Sequence, residues 1–258
     1  MAHKILIMSP LHNMGSTVAA SLLAQGLTYS SKTCTLLFTQ PESLLPSYFG
    51  IQDVNDPTRS VMQIVRLIDN GAIADKDILD YTYSLAKNLH LLNVSDRTLT
   101  DKDRAQVIHH VYNRSATNCV VIDNSDDLDT QFSKELLEES DQVFLVVQPT
   151  VKAFQRLKLW LQSDNLKDNP NVYVLVNMYN EKIFAVRNMA KFIGMPANRV
   201  CKIHYNPWIS KCCFNGQLHT ILPLAKETDA RVANLQNDID ELQMSVDGTI
   251  VMLSRKGF

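Results

Sequence analysis

The chain has 258 residues, 45% of them hydrophobic and 20% charged, enough for one large α/β domain with a substantial core. A net charge of −2 offers no general attraction for nucleic acid or anionic lipid, so specific nucleic-acid binding is not indicated and any such contact must come from a local patch. Five cysteines (Cys34, Cys119, Cys201, Cys212 and Cys213), odd in number and without CxxC spacing, suit reduced thiols, and no apolar run nears the ~18 residues of a membrane span, so a cytoplasmic protein without export signal or transmembrane segment is expected.

The first 27 residues set the pattern. Lys4 to Met8 reads as a buried strand, Ser9 to Thr17 as a tight loop, and Val18 to Leu27 as a helix, with Val18, Ala19, Leu22, Leu23 and Leu27 at near 3.6 spacing and Gly26 as its expected stop. In the loop, Gly15-Ser16-Thr17 stands where a phosphate-binding loop carries Gly-Lys-[Ser/Thr], and Pro10 stands where that motif has its first glycine. No Lys or Arg occurs between Lys4 and Lys32, so positive potential there must come from the helix N-terminus, roughly half a charge, and from His12. A strand-to-helix turn that holds no ligand would read the same way. Eight glycines in the whole chain, about 3% against a typical ~7%, agree with a loop that has given glycines up.

Further along, Thr33 to Phe38 reads as a strand followed by the turn signal Thr39-Gln40-Pro41-Glu42. Ser60 to Asn70 reads as a helix, a short second helix is expected around Ala72 to Leu79, Leu89 to Val94 as a strand and Asp101 to Arg114 as a helix. His109-His110 invites a metal reading, but adjacent helical residues point about 100° apart and no Cys or carboxylate is spaced to join them, so surface or interface histidines are expected. Cys119 to Ile122 is an apolar run that delivers Asp123 to the end of a strand, where ligands of parallel sheets gather. Asp123 and the Thr17 hydroxyl are therefore candidate oxygen ligands of a bound group. Val143 to Val147 and Val172 to Val176 read as strands, the second ending in Asn177, with an amphipathic helix from Ala153 to Leu161 between them. Past Pro223 a polar helix, Lys226 to Ser245, carries Val232, Leu235, Ile239 and Leu242 at a/d-like spacing.

These motifs resemble the ParA/MinD family of deviant Walker (SIMIBI class) P-loop ATPases over residues 1–222. The family loop Lys-Gly-Gly-x-Gly-Lys-Thr is matched by Leu11-His12-Asn13-Met14-Gly15-Ser16-Thr17, with both lysines missing, as in atypical, TadZ-like members. The resemblance implies a doubly wound, mostly parallel α/β sheet flanked by helices and a site for ATP or ADP with Mg²⁺, the metal held by Thr17 directly and by Asp123 through water. The nucleotide would lie on His12, Asn13, Met14, Gly15, Ser16, Thr17 and Val18. Asn177 matches the family's base-reading Asn, although a plain turn asparagine fits equally, and Asn206-Pro207-Trp208 matches the Pro loop that covers the base. The first-switch aspartates are absent, with only Thr39, Gln40 and Glu42 in their place, and Asn124-Ser125-Asp126-Asp127 stands at the second switch. No catalytic residue can be assigned, so hydrolysis is expected to be weak or absent. The implied function is an ATP-binding switch for spatial positioning or assembly (partition, division, pilus, secretion or conjugation machinery), acting as a homodimer with a protein partner. The alternative is a pseudo-ATPase scaffold that binds partners without nucleotide. Residues 223–258 are expected to pack on the same domain, the tail from Thr249 to Phe258 as a strand or helix rather than as a peripheral membrane anchor.

Overall fold

A computed structural model describes residues 2–40, 43–52, 59–74, 77–94, 99–124, 126–226 and 232–256. In chain order the elements are β1 (His3–Met8), α1 (Ser16–Tyr29), β2 (Cys34–Phe38), α2 (Leu45–Tyr48), α3 (Val61–Asp69), β3 (Tyr83–Ala86), β4 (Leu89–Leu91), α4 (Asp101–Arg114), β5 (Cys119–Asp123) and α5 (Gln131–Glu139). There follow β6 (Gln142–Val147), α6 (Val151–Leu161), β7 (Val172–Tyr179), α7 (Val186–Ile193), β8 (Val200–His204), α8 (Pro207–Phe214), α9 (Ile221–Lys226) and α10 (Ala233–Lys256). The strands form one sheet in the order β3-β4-β2-β5-β1-β6-β7-β8, and every pairing is parallel except β3 with β4.

The central strands are continuous apolar runs because helices cover both faces. Every residue of β2, β5 and β6 is buried. β1 lies between β5 and β6, with Ile7 beside Asp123 on one side and Phe144 on the other. The chain leaves β1 toward β2 and later returns to its other side, and this reversal of direction opens a crevice at the carboxyl ends of the strands.

The helices follow the apolar spacing, with local corrections. α4 covers the expected residues and starts with a reciprocal capping box between Thr100 and Asp103. The strand expected through Val94 stops at Leu91, and the helix expected near Ala72 to Leu79 is a 3-10 turn, Asp77–Tyr81. The antiparallel edge strand β3 was not foreseen; its exposed and half-buried residues carry no continuous apolar run. Pro41, Glu42 and Ser125 lie outside the described residues.

The expected C-terminal helix begins later and runs further. α9 ends at Lys226, residues 227–231 lie outside the described residues, and α10 continues to Lys256, so residues 249–256 are its last turns rather than a separate element. The side chains from Thr249 onward are not described. No helix among the described residues is long and apolar enough to cross a membrane. Val232, Leu235, Ile239 and Leu242 are all buried, as their spacing predicts.

Gly26 does not stop α1. It lies buried inside it, where the missing side chain admits α10: a Cβ at Gly26 would stand 2.5 Å from Ile239 Cγ2, and Gln243 Nε2 donates to the Gly26 carbonyl. The close approach of the two helices overrides the helix-breaking tendency of glycine. Gly26→Ala should therefore lower the melting temperature, although alanine is the better helix former by about 1 kcal/mol, because the Ile239 Cγ2 methyl that would have to move is held on a β-branched, rotationally stiff side chain. In an Ile239→Ala background, where the space is vacated, the same change should raise it; a double-mutant cycle by thermal denaturation reads the sign reversal.

Candidate functional site

The loop after β1 is held by side chains from two other strands. Ser9 Oγ lies 2.7 Å from the Leu11 carbonyl and 2.9 Å from that of Val146. Gln148 Nε2 donates to the Asn13 carbonyl at 2.9 Å, and Asn177 Nδ2 donates to the Met14 carbonyl at 3.0 Å. Asn13 and Gly15 both adopt left-handed conformations, φ 62° and 84°. At Gly15 a side chain is excluded twice, by φ and by Asn177 Nδ2, which a Cβ would meet at 2.1 Å.

Asn177 owes its position to an irregularity that nothing in the sequence announces. The pairing of β7 with β8 shifts register between Val176 and Tyr179, and Met178 has φ 53°. A left-handed methionine costs roughly 1–2 kcal/mol, and such bulges re-aim side chains beside functional sites. Both ends of the Asn177 amide are engaged, Nδ2 on Met14 and Oδ1 as acceptor from the Met178 N–H at 2.9 Å. Asn177 thus anchors the loop in this structure.

α1 starts at Ser16 on a glycine N-cap that supplies no side-chain hydrogen bond. The N–H groups of Gly15, Ser16, Thr17 and Val18 have no acceptor among the described residues, so the positive end of a 14-residue helix is open. Thr17 Oγ1 donates to Asp123 Oδ2 at 2.6 Å. Asp123 is buried and its Oδ1 has no partner. Burial pushes the Asp123 carboxyl up from the usual range, partly offset by hydrogen bonds from Thr17 and Ser16. Next to it, Thr39 Oγ1 donates to Asn124 Oδ1 at 2.9 Å and Asn124 Nδ2 to Ser133 Oγ at 2.9 Å, so the candidate switch residues form a closed neutral network.

These elements border a cavity of about 920 Å³. It collects most of the residues singled out in the sequence: His12, Asn13, Gly15, Ser16, Thr17, Val18, Asn177 and Asn206 line it, and Asp123 lies behind Thr17. Besides Asp123, three do not line it. Met14 turns its sulfur to the Gln148 N–H at 3.5 Å; Pro207 and Trp208 form the first turn of α8, capped by Asn206, with Lys211 Nζ 4.1 Å from the Trp208 ring centre. The expected Pro loop is a helix start because Asn-Pro is a favoured N-cap and N1 pair. Residues missed in the sequence complete the wall: Tyr48, Tyr205 and, on α6, Lys152, Arg156 and Trp160. Away from the cavity, His109 sits between Glu135 and Glu139 at 3.2 Å from each, an α4–α5 interface contact.

Asp123 carries a stability cost whose pH dependence has a definite sign. Its folded pKa lies above the unfolded value, so its contribution is fully present below the unfolded pKa and is lost as pH rises through the folded one. Asp123→Asn keeps the hydrogen bond from Thr17 and removes the buried charge. Without ligands the variant should melt higher than the wild type at pH 8, with the gap closing toward pH 4, followed by calorimetric scans.

No family model matches the sequence, and neither does any curated protein. Solved structures do match by shape. A ParA family ATPase from Chlorobium tepidum TLS superposes with a TM-score of 0.69 at 16% identity, over 97% of this chain and 99% of that one. MinD from Aquifex aeolicus, in a MinC:MinD cell division protein complex, gives 0.69 at 14% over 94% and 96%. The septum site-determining protein MinD from Pyrococcus horikoshii OT3, complexed with Mg-ADP, gives 0.68 at 15% over 94% and 96%. The chain has the mostly parallel, helix-flanked sheet of the ParA/MinD P-loop NTPase fold.

Proposed function

We propose that the chain is an atypical ParA/MinD-like nucleotide switch that takes ATP or ADP with Mg²⁺ in this cavity, hydrolyses ATP weakly or not at all, and acts as a homodimer on a protein partner in a positioning or assembly system, TadZ-like pilus positioning among the candidates. The observation that carries the reading is the Thr17–Asp123 contact beneath the open N-terminus of α1. A hard divalent cation takes oxygen ligands, and the site offers the Thr17 hydroxyl and the otherwise unpartnered Asp123 Oδ1. When bound, Mg²⁺ supplies charge neutralisation for the phosphates. The chain's own part is to donate the N–H groups of Gly15 to Val18 to phosphate oxygens and to keep the loop in shape through Asn177 and Gln148. The likeness to MinD complexed with Mg-ADP supports the choice of ligand.

Slow turnover follows from what the site lacks. The loop has no Lys or Arg to stabilise the transferring phosphoryl group, and Thr39 at the end of β2 is bonded to Asn124 rather than free to orient a water. A second reading, a scaffold that binds partners without nucleotide, is favoured by the loop itself, whose Leu11, Asn13 and Met14 carbonyls are all held by protein groups.

Calorimetric titration with ATP separates the two. The switch reading expects Mg²⁺-dependent binding that Asp123→Ala abolishes, with turnover below about 1 per second, the low end of ordinary enzymes. Ser16→Lys should tighten ATP roughly ten- to a hundredfold, since a charge-assisted hydrogen bond is worth about 1.5–3 kcal/mol. No heat of binding for either wild type or Ser16→Lys would leave the scaffold. For the dimer, sedimentation of Thr17→Arg should show a monomer; a dimer that survives the substitution places its interface away from the cavity.

A further inference from the structure

The cavity contains cations on the wall facing the loop. Lys152 and Arg156 stand four residues apart, one helical turn, so they share a face of α6, and both line the same space as Ser16 and Thr17. The loop is tied to the start of this wall by Gln148, whose side chain donates to the Asn13 carbonyl at 2.9 Å and whose backbone N–H donates to the Met14 sulfur, only three residues before α6 begins.

The charges on this wall are not neutralised in the ordinary way. Lys152 is the second residue of α6, whose first turn contains no acidic residue. A cation at a helix N-terminus opposes the helix dipole and is disfavoured there. Lys152 is exposed and has no carboxylate partner among the described residues, so it gains no compensating ion pair. Arg156 faces Asp127, from the segment after β5, at 3.8 Å, but both side chains are substantially exposed, 42% and 56%, and such a pair holds weakly. The N-terminus of α1 and two cations of α6 therefore direct positive potential into one cavity, against the two carboxylates of Asp126 and Asp127. An anion with several oxygens would satisfy all of them.

We propose that Lys152 and Arg156 of α6 are the phosphate-binding cations of this protein, gripping the polyphosphate of the bound ligand from the side opposite α1 and taking over the charge that the loop lacks at Ser16. Lys152, with three donors on a flexible stem, meets the terminal phosphate, and Arg156 exchanges Asp127 for a phosphate oxygen. That exchange frees the segment after β5, so ligand binding is felt at Asp127. The assignment rests on the nucleotide reading above, and the experiment distinguishes the failure of either.

Wild type, Lys152→Ala, Asp127→Asn and the double variant Lys152→Ala with Ser16→Lys are titrated with ATP and Mg²⁺, with tripolyphosphate and with adenosine. Unchanged melting temperatures for the Lys152 and Asp127 variants establish that these exposed positions leave the fold intact. Lys152→Ala should weaken ATP and tripolyphosphate about tenfold or more and leave adenosine unchanged. Restoring a lysine at Ser16 should recover the loss, and Asp127→Asn should tighten both anions by releasing Arg156. Equal ATP affinity in wild type and Lys152→Ala overturns the role of Lys152 and leaves the nucleotide reading standing. Weaker binding in Asp127→Asn overturns the exchange at Arg156. Lysine-dependent binding of tripolyphosphate without binding of ATP supports the cation wall and overturns the nucleotide reading. No binding of either anion by the wild type overturns both.

Discussion

The hydrogen bond from Thr17 to Asp123 joins the start of α1 to the end of β5, and both groups are there because β1 runs parallel beside β5 with Ile7 level with Asp123. The register dictates the rest of the crevice. A β1 flanked by β5 and β6 brings the segment after β5 and the approach to α6 to the same loop, and β7, next in the sheet, adds Asn177. The contact also has a cost: a carboxylate enclosed with one oxygen bonded and the other bare is less stable than a neutral group in its place.

Most of the sheet was legible in the sequence because buried parallel strands are mostly apolar runs, and these ended where the structure ends them, at Met8, Phe38 and Val147. Helices with clear caps or faces, such as α4, were equally plain. What was hidden depends on contacts between distant parts of the chain. Gly26 looked like a helix stop because local propensity favours that role, and only the approach of Ile239 and Gln243, over 200 residues later, shows why no side chain can stand there. β3 was hidden because one side of it is solvated and the pattern that identifies a strand is weakest at an edge.

The site was half legible, for a different reason. Motif reasoning searches a phosphate loop for its own cation, and finding none at Ser16 it concludes that charge is lacking. In the structure Lys152 and Arg156 of α6 line the same cavity as the loop, some 135 residues away in sequence, and Gln148, just before α6, bonds the Asn13 carbonyl. A trace was present in the sequence: Lys152 and Arg156 at helical spacing directly after an apolar strand that ends at the crevice. A signal of that kind is weak, since a lysine and an arginine one turn apart usually face solvent. Trp208, chosen by position in a motif, lies in the capped first turn of α8 with its ring beside Lys211.

Departures from local rules concentrate around the cavity. Among the described residues, four that are not glycine have positive φ, and two of them, Asn13 and Met178, line it. Gly15 in the loop and the register shift in β7 belong to the same cluster. A left-handed residue other than glycine costs on the order of 1–3 kcal/mol and persists only where the surroundings enforce it. Here the enforcement is mutual: the bulge at Met178 aims Asn177 at the loop, Asn177 fits only because Gly15 has no Cβ, and the left-handed Gly15 turns the chain so that α1 begins with its N–H groups uncapped. Removing any one of the three would let the others relax, and the open helix end is what their combined strain maintains.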